Sequence, residues 1–309
     1  MKATAAFFRL IRWPNLLFIV LTQMLFRYFI LSFVYKETLP SHESIKLSPF
    51  LFFLLMLASV CIAAAGYIIN DYFDVNIDQV NKASRVIIDI FIKRRMAILL
   101  HALLSFTGFG LSAYVGFRLR NFYIPFFNLV AIAVLWFYST TFKKKLLIGN
   151  VLISLLSAWV ILVLTLSEYR FKISPEDVAW QRLLKVSFIY SGFAFIISLI
   201  REVIKDLEDI EGDLKYNCTT MPIVWGLPVS KVFAGVWIIV LMGMVAALQV
   251  YVVQLGWWYS ALYFFITILI PLLWVLINLY KANTPEKFHK LSTAVKMIML
   301  AGILSMIFF

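Results

Sequence analysis

Nine apolar runs, each about twenty residues long, occupy this chain at roughly 14–35, 49–70, 97–116, 121–141, 146–167, 183–203, 230–253, 257–280 and 292–309. Twenty helical residues rise about 30 Å, the thickness of a bilayer's hydrocarbon core. In hydrocarbon every backbone N–H and C=O must find its partner within the protein, which leaves only helices or a closed barrel. No run has the alternating ten-residue pattern of an outer-membrane strand, so the expected fold is an all-α integral membrane protein, a bundle of nine transmembrane helices. Composition agrees: 63% of the residues are hydrophobic, 29 are Phe, and the mean hydropathy is +0.92, whereas soluble domains are about half apolar.

The first run follows Lys2, Arg9 and Arg12 as the core of a signal peptide would. It is too long for one and lacks a small-x-small cleavage pattern, so it is expected to remain as the first helix. The net charge of +12 does not point to nucleic acid, because no soluble domain is left to carry a nucleic-acid fold. Its distribution speaks of topology. With the N-terminus inside, the cytoplasmic segments hold eighteen Lys or Arg and the opposite segments seven, which predicts a cytoplasmic N-terminus and an external C-terminus. Cys61 falls within the second run and Cys218 in a connecting loop, so neither a disulfide nor a metal-ligand spacing is expected. His42, His101 and His289 are scattered and are expected at the surface or the headgroup level.

Against this apolar background the chain spends its sixteen acidic residues unevenly. Asp71, Asp74 and Asp78 share their spacing with Asp206, Asp209 and Asp213, 135 residues later. Positions i, i+3 and i+7 lie within about 60° of each other around a helix, so each triplet forms one carboxylate stripe. Three neighbouring carboxylates repel unless something neutralises them, and Mg²⁺ is commonly held by a few carboxylates together with the phosphate oxygens of a substrate. Both triplets are expected on the cytoplasmic side, in loops of roughly 26 residues after the second and sixth helices. Four helices separate them, an even number, which suggests one domain, 1–309, made of two related four-helix units at about 14–141 and 146–280 plus a ninth helix.

Plainer readings exist for both. The first triplet could be a solvated helix end, but helix C-termini and cytoplasmic ends favour cations over carboxylates. The second, within Arg201-Glu202-Val203-Ile204-Lys205-Asp206-Leu207-Glu208-Asp209, could be a helix laced by ion pairs. The repeated spacing argues against both.

Asn70 to Asp78 reads N-D-x-x-D-x-x-x-D, and with the second D-x-x-D-x-x-x-D motif the chain resembles the UbiA superfamily of intramembrane prenyltransferases. The resemblance implies nine helices around a central cavity, Mg²⁺ held by Asp71, Asp74, Asp78, Asp206, Asp209 and Asp213, and a catalytic centre built on Asp71, Asp74, Asp206 and Asp209. Asn15, after Pro14, matches a polar position facing the donor, or serves as part of a helix start. Asn70 opens the first motif. Arg85 matches the basic residue that grips the diphosphate, although the prolines that commonly flank that position are missing here. Tyr138 and Lys143 resemble a Tyr-Ser element with its basic tail; interfacial anchoring is the alternative for both. Lys205, with Arg201 one turn before it, is a further candidate for the diphosphate.

The implied reaction is Mg²⁺-assisted ionisation of an isoprenoid diphosphate and transfer of the prenyl group to a lipophilic acceptor in the membrane. The second motif with Thr220-Met221-Pro222 is most similar to the branch that includes the geranylgeranylglyceryl-phosphate enzymes. Prenylation of an aromatic or quinone-precursor acceptor, or of a chlorophyllide-like one, is the alternative. A secondary transporter is the reading from another class, but transporter carboxylates usually interrupt spans near the bilayer centre, and these lie at span ends. No obligate protein partner is expected.

Overall fold

The computed structural model describes residues 3–38, 45–81, 86–169 and 177–309. Among them, nine helices are long and apolar enough to cross a membrane, and they coincide with the nine apolar runs. A short helix α1 (Ala3–Leu10) precedes α2 (Trp13–Lys36), α3 (Pro49–Asn81), α4 (Arg94–Leu119), α5 (Tyr123–Thr140), α6 (Ile148–Ser167) and α7 (Val178–Glu208). Two short helices, α8 (Ile210–Lys215) and α9 (Met221–Val224), lead to α10 (Gly226–Gln254), α11 (Trp258–Lys281) and α12 (Pro285–Phe308). Pro14, Pro49 and Pro285 sit in the first turns of α2, α3 and α12, where a missing N–H costs nothing. No strand forms among the described residues. The protein is a multi-pass integral membrane protein with an all-α fold.

The chain divides into two compact units, Met1–Lys143 with Trp159–Ile189, and Lys144–Ala158 with Tyr190–Phe309. In the first, α3 packs against α2, α4 and α5. Hydrocarbon gives apolar side chains no reason to prefer each other over lipid, so close helix approach rests on small residues and hydrogen bonds. A Cβ on Gly108 of α4 would lie 2.7 Å from the Ile62 side chain and 3.1 Å from the Ala58 carbonyl of α3, and one on Gly116 would strike Pro125 of α5. The Trp159 indole donates to Asn128 Oδ1 at 2.8 Å, and Asn128 Nδ2 donates to Ser112 Oγ at 2.7 Å. Arg27, buried in a π-helical stretch of α2, donates to the Leu47 carbonyl at 3.0 Å, while the Glu168 carboxylate, 1% exposed, accepts the backbone N–H groups of Lys46 and Leu47.

The second unit has its own core, in which Val203 and Ile204 of α7 meet Ile238 and Leu241 of α10, Leu272 and Val275 of α11 and Val295 of α12. Gly226 opens α10 at φ 80 and Gly256 turns the chain towards α11 at φ 77, a region that residues with a Cβ rarely enter. A Cβ on Gly302 would overlap the Phe193 ring.

Two expectations need correction. The acidic motifs do not lie in long loops: α3 continues to Asn81 and α7 to Glu208. Beyond Asn70 the α3 sequence still buries Val75 and Ile77, and Val75 packs with Val86, Ile87 and Ile88, so apolar contacts sustain the helix past the membrane span. His101 is not at the surface. It is buried in α4, where its Nδ1 lies 3.0 Å from the Ala65 carbonyl and its ring 5.4 Å from that of Trp136. His289 does lie exposed, 3.0 Å from Glu208 Oε1. His42 falls outside the described residues.

Candidate active site

The first acidic stripe stands on the polar end of α3. Asp71 is one turn beyond Tyr67, so ring and carboxylate share a helix face. Into that face reaches Arg12, from the two-residue corner Ile11-Arg12 between α1 and α2, where it adopts the left-handed conformation (φ 51, ψ 51). Its Nη2 donates to Asp71 Oδ1 at 2.6 Å, and its guanidinium carbon lies 5.3 Å from the centre of the Tyr67 ring, within cation–π range. Asp74, 3% exposed, points into the protein. Its Oδ2 accepts a 2.7 Å bond from Asn70 Nδ2 and pairs directly with the Lys143 ammonium, carried by the 3₁₀ turn that follows α5. Burial alone would lower the Lys143 pKa, but the charge on Asp74, reinforced by Tyr138 and Asp78, holds it above the ordinary lysine value. The ammonium therefore stays charged.

The other candidates of this unit gather nearby. Asn15 is half-buried in the first turn of α2, its backbone N–H bonded to the Arg12 carbonyl at 2.8 Å. Half-buried Tyr138 is near enough to act on the charge of Lys143. Lys144 and Lys145, by contrast, are exposed. Arg85 lies outside the described residues.

In the second unit the stripe is broken. α7 ends at Glu208, Asp209 sits at a bend (φ −101, ψ 11), and α8 starts at Ile210. Asp206, Asp209 and Asp213 thus do not share one continuous helix, a correction to the single-stripe expectation, and each is positioned separately. Asn150 of α6 donates to Asp206 Oδ2 at 2.8 Å, and the Thr220 hydroxyl lies 3.2 Å from Asp213 Oδ2. Lys205 pairs with Glu202 Oε1 at 2.7 Å, and Arg201 Nη1 approaches the same oxygen at 3.4 Å.

No group of three acidic, His or Cys side chains is brought within coordinating distance among the described residues. In the first stripe the reason is visible, since Arg12 and Lys143 draw Asp71 and Asp74 to themselves. The chemistry still fits a hard divalent cation and a phosphorylated ligand. The first unit offers carboxylate oxygens and, beside them, the buried Asn70 Oδ1 without a hydrogen-bond partner; the second offers Arg201 Nε, a buried donor also without one. An unsatisfied oxygen beside carboxylates suits a cation, and an unsatisfied guanidinium N–H suits a phosphate oxygen. Mg²⁺ usually keeps several waters and takes ligands from its substrate, so three preassembled carboxylates are not required.

Arg12 and Asn150 were not singled out as site residues by the sequence, and Thr220 and Glu202 entered only as parts of the second motif's surroundings. Arg12 looked like one more positive-inside charge. Asn150 carried a usable signal, being a polar side chain inside the apolar run 146–167, the kind of residue that marks function in a membrane span.

Residues 39–299 match the UbiA prenyltransferase family. The chain is 34% identical over 193 residues to the digeranylgeranylglyceryl phosphate synthase of Methanothermobacter thermautotrophicus, covering 59% of this chain and 60% of that protein. It is 29% identical over 259 residues to that of Methanosphaera stadtmanae, covering 81% and 86%. In several of the stronger matches, then, the chain spans only about three fifths of the relative's length. A solved structure described as giving insight into digeranylgeranylglyceryl phosphate synthase in membranes superimposes with a TM-score of 0.62 at 24% identity, covering 99% of this chain and 98% of that one. A UbiA homologue from Archaeoglobus fulgidus, bound to DMAPP and Mg²⁺, gives 0.57 at 14% identity, covering 97% and 98%. At those identities the two structures establish the fold alone, while the family match extends over most of the sequence: the chain belongs to the UbiA prenyltransferase family.

Proposed function

We propose that this protein is a divalent-metal-dependent membrane prenyltransferase that moves a prenyl group from an isoprenoid diphosphate to a lipid acceptor, geranylgeranylglyceryl phosphate. The observation that carries the reading is the patch on α3, where Asp71, Asp74 and Asn70 meet Arg12 and Lys143. Anionic oxygens for a metal and fixed cations for a phosphate stand side by side, as ionisation of an allylic diphosphate needs. Mg²⁺, named with a bound isoprenoid diphosphate in the Archaeoglobus homologue, would be held by Asp71, Asp74 and Asp78 and by Asp206, Asp209 and Asp213, and would supply charge neutralisation of the departing diphosphate.

The chain's own groups do the rest. Lys143 in the first unit, and Arg201 and Lys205 in the second, are assigned as N–H donors to phosphate oxygens, which gain charge as the allylic C–O bond breaks. Asn70 holds the Asp74 carboxylate in one orientation, and Asn150 does the same for Asp206. Asn15 and Tyr138 are assigned to the donor site, and the motif resemblance assigns Arg85 to it as a further cation. The allylic cation would be stabilised by aromatic faces at about 0.5–2 kcal/mol each, and transfer requires that water be kept from trapping it. The acceptor hydroxyl then attacks the cation, forming the ether C–O bond, and its proton passes to the departed diphosphate. We further propose that the N-terminus and both acidic motifs are cytoplasmic, and that the halves 14–141 and 146–280 arose by duplication.

The acceptor assignment draws support from the relatives named digeranylgeranylglyceryl phosphate synthase. The test is incubation of purified protein with radiolabelled geranylgeranyl diphosphate, Mg²⁺ and a panel of acceptors, with Asp74→Ala and Asp206→Ala as controls. A labelled diether phosphate, lost in both variants and on chelation of the metal, is expected. Labelling of an aromatic acceptor with no glyceryl phosphate product would overturn the acceptor, and activity in both variants would overturn the metal-diphosphate mechanism.

A further inference from the structure

Arg12 is the residue of the first stripe whose placement demands most of the chain. A residue with a Cβ rarely takes the left-handed conformation, yet Arg12 does so between α1 and α2, and its guanidinium is met by two groups of α3 one turn apart, the Tyr67 ring and the Asp71 carboxylate. Of its five N–H donors, the described residues engage one, in the bond to Asp71 Oδ1; the other oxygen of that carboxylate has no partner among them. The Arg12 side chain is 37% exposed whereas Asp71 is 17% exposed, so the cation covers the anion and remains reachable from outside. Among the described residues, the charged groups facing this spot are Asp71, Asp74 and Asp78 on α3 and Arg12 and Lys143 from elsewhere, three carboxyl groups and two cations. Arg12 therefore removes a large part of the field that would attract a divalent cation.

We propose that Arg12 is a counter-ion that couples the metal to the donor: it opposes cation binding at Asp71 while the site is empty of diphosphate, and it commits its uncommitted N–H donors to diphosphate oxygens once the donor arrives. The proposal rests on the metal-diphosphate reading above and adds an order to it. Metal alone binds weakly, and metal with diphosphate binds well, because the same guanidinium repels the first and attracts the second. Free metal then does not occupy the stripe without substrate, and the carboxylates stay aligned meanwhile. A guanidinium suits this better than an ammonium, since its planar fork can hold a carboxylate oxygen with one N–H and still offer others.

The two roles give opposite signs in one variant. With the purified protein in lipid nanodiscs, Mn²⁺ affinity is measured by electron paramagnetic resonance without donor, and binding of a non-reactive thiolo-diphosphate analogue of the donor is measured separately at saturating Mg²⁺. Arg12→Gln should bind Mn²⁺ roughly 5-fold or more tighter, the low end of ordinary coupling between sites, and should bind the analogue more weakly by a similar factor. Arg12→Lys keeps the charge and should leave Mn²⁺ affinity within about twofold of wild type. Mn²⁺ binding that is unchanged or weakened in Arg12→Gln overturns the coupling, because a residue that only ties the α1–α2 corner to α3 would weaken both ligands when removed. Should Arg12→Gln and Arg12→Met both fail to fold while Arg12→Lys folds, Arg12 is structural and the proposal falls. If neither Arg12→Gln alone nor wild-type protein with the analogue bound shows Mn²⁺ binding that Asp74→Ala removes, the metal reading of the site fails, and the coupling with it.

Discussion

Lys143 separates from the two lysines that follow it, and this separation can be measured. Its ammonium pairs with Asp74 Oδ2, an oxygen that otherwise receives, among the described residues, only the Asn70 amide, whereas Lys144 and Lys145 are exposed. Replacing Lys143 by Met removes one charge-assisted hydrogen bond from a carboxylate that is 3% exposed and one cation from the proposed diphosphate site. Such a bond contributes about 1.5–3 kcal/mol, and every 1.36 kcal/mol is a factor of ten in rate, so kcat/KM for the donor should fall roughly 10- to 150-fold. Lys144→Gln/Lys145→Gln should stay within about threefold of wild type, because exposed charges contribute about 0–1 kcal/mol. Steady-state transfer from radiolabelled geranylgeranyl diphosphate in nanodiscs reads both, and Lys143→Arg should recover part of the loss. Loss in the double variant equal to that in Lys143→Met, or wild-type turnover in Lys143→Met, would refute the assignment of Lys143 to the Asp74 site.

Asn150→Leu leaves Asp206 without its 2.8 Å donor and should lower turnover about tenfold or more, with the folded fraction by size-exclusion chromatography unchanged; full activity would show that Asp206 needs no positioning from α6. Asn128→Leu breaks two interhelical hydrogen bonds, to Trp159 and Ser112, and at roughly 0.6 kcal/mol each in a membrane should cost about 1 kcal/mol of stability in a detergent unfolding titration while kcat is retained. Loss of kcat at unchanged stability would place Asn128 in the site instead. A reporter fused after Phe309 should lie outside the cell, as nine spans and a cytoplasmic N-terminus require, and a cytoplasmic signal there would contradict the proposed orientation.

The acidic motifs show where local reading stops. The i, i+3, i+7 spacing around Asp71 describes one face of a helix whatever lies beyond it, and α3 obeys it. The same spacing around Asp206 fails at Asp209, where α7 ends and α8 begins, and Asp213 beyond the break meets Thr220, so the fold interrupts a pattern that sequence treats as continuous. His101 is a similar case. A lone imidazole in an apolar run looks misplaced until the Ala65 carbonyl and the Trp136 ring are found beside it.

What the amino-acid sequence determines by itself is set by solvent and by short-range geometry. Nine runs of hydrocarbon-spanning length leave the backbone no alternative to helices, and the paired acidic triplets stand out because charge is costly in such a chain and needs a purpose. Which groups answer those charges is decided only by tertiary structure. Arg12 meets Asp71 across 59 positions, Lys143 meets Asp74 across 69, and Asn150 meets Asp206 across 56. No local pattern encodes such pairings. They follow from how α2, α3 and α5 pack in one unit and how the start of α6 and the end of α7 pack in the other, since a side chain's partner depends on which helices approach closely enough to offer one.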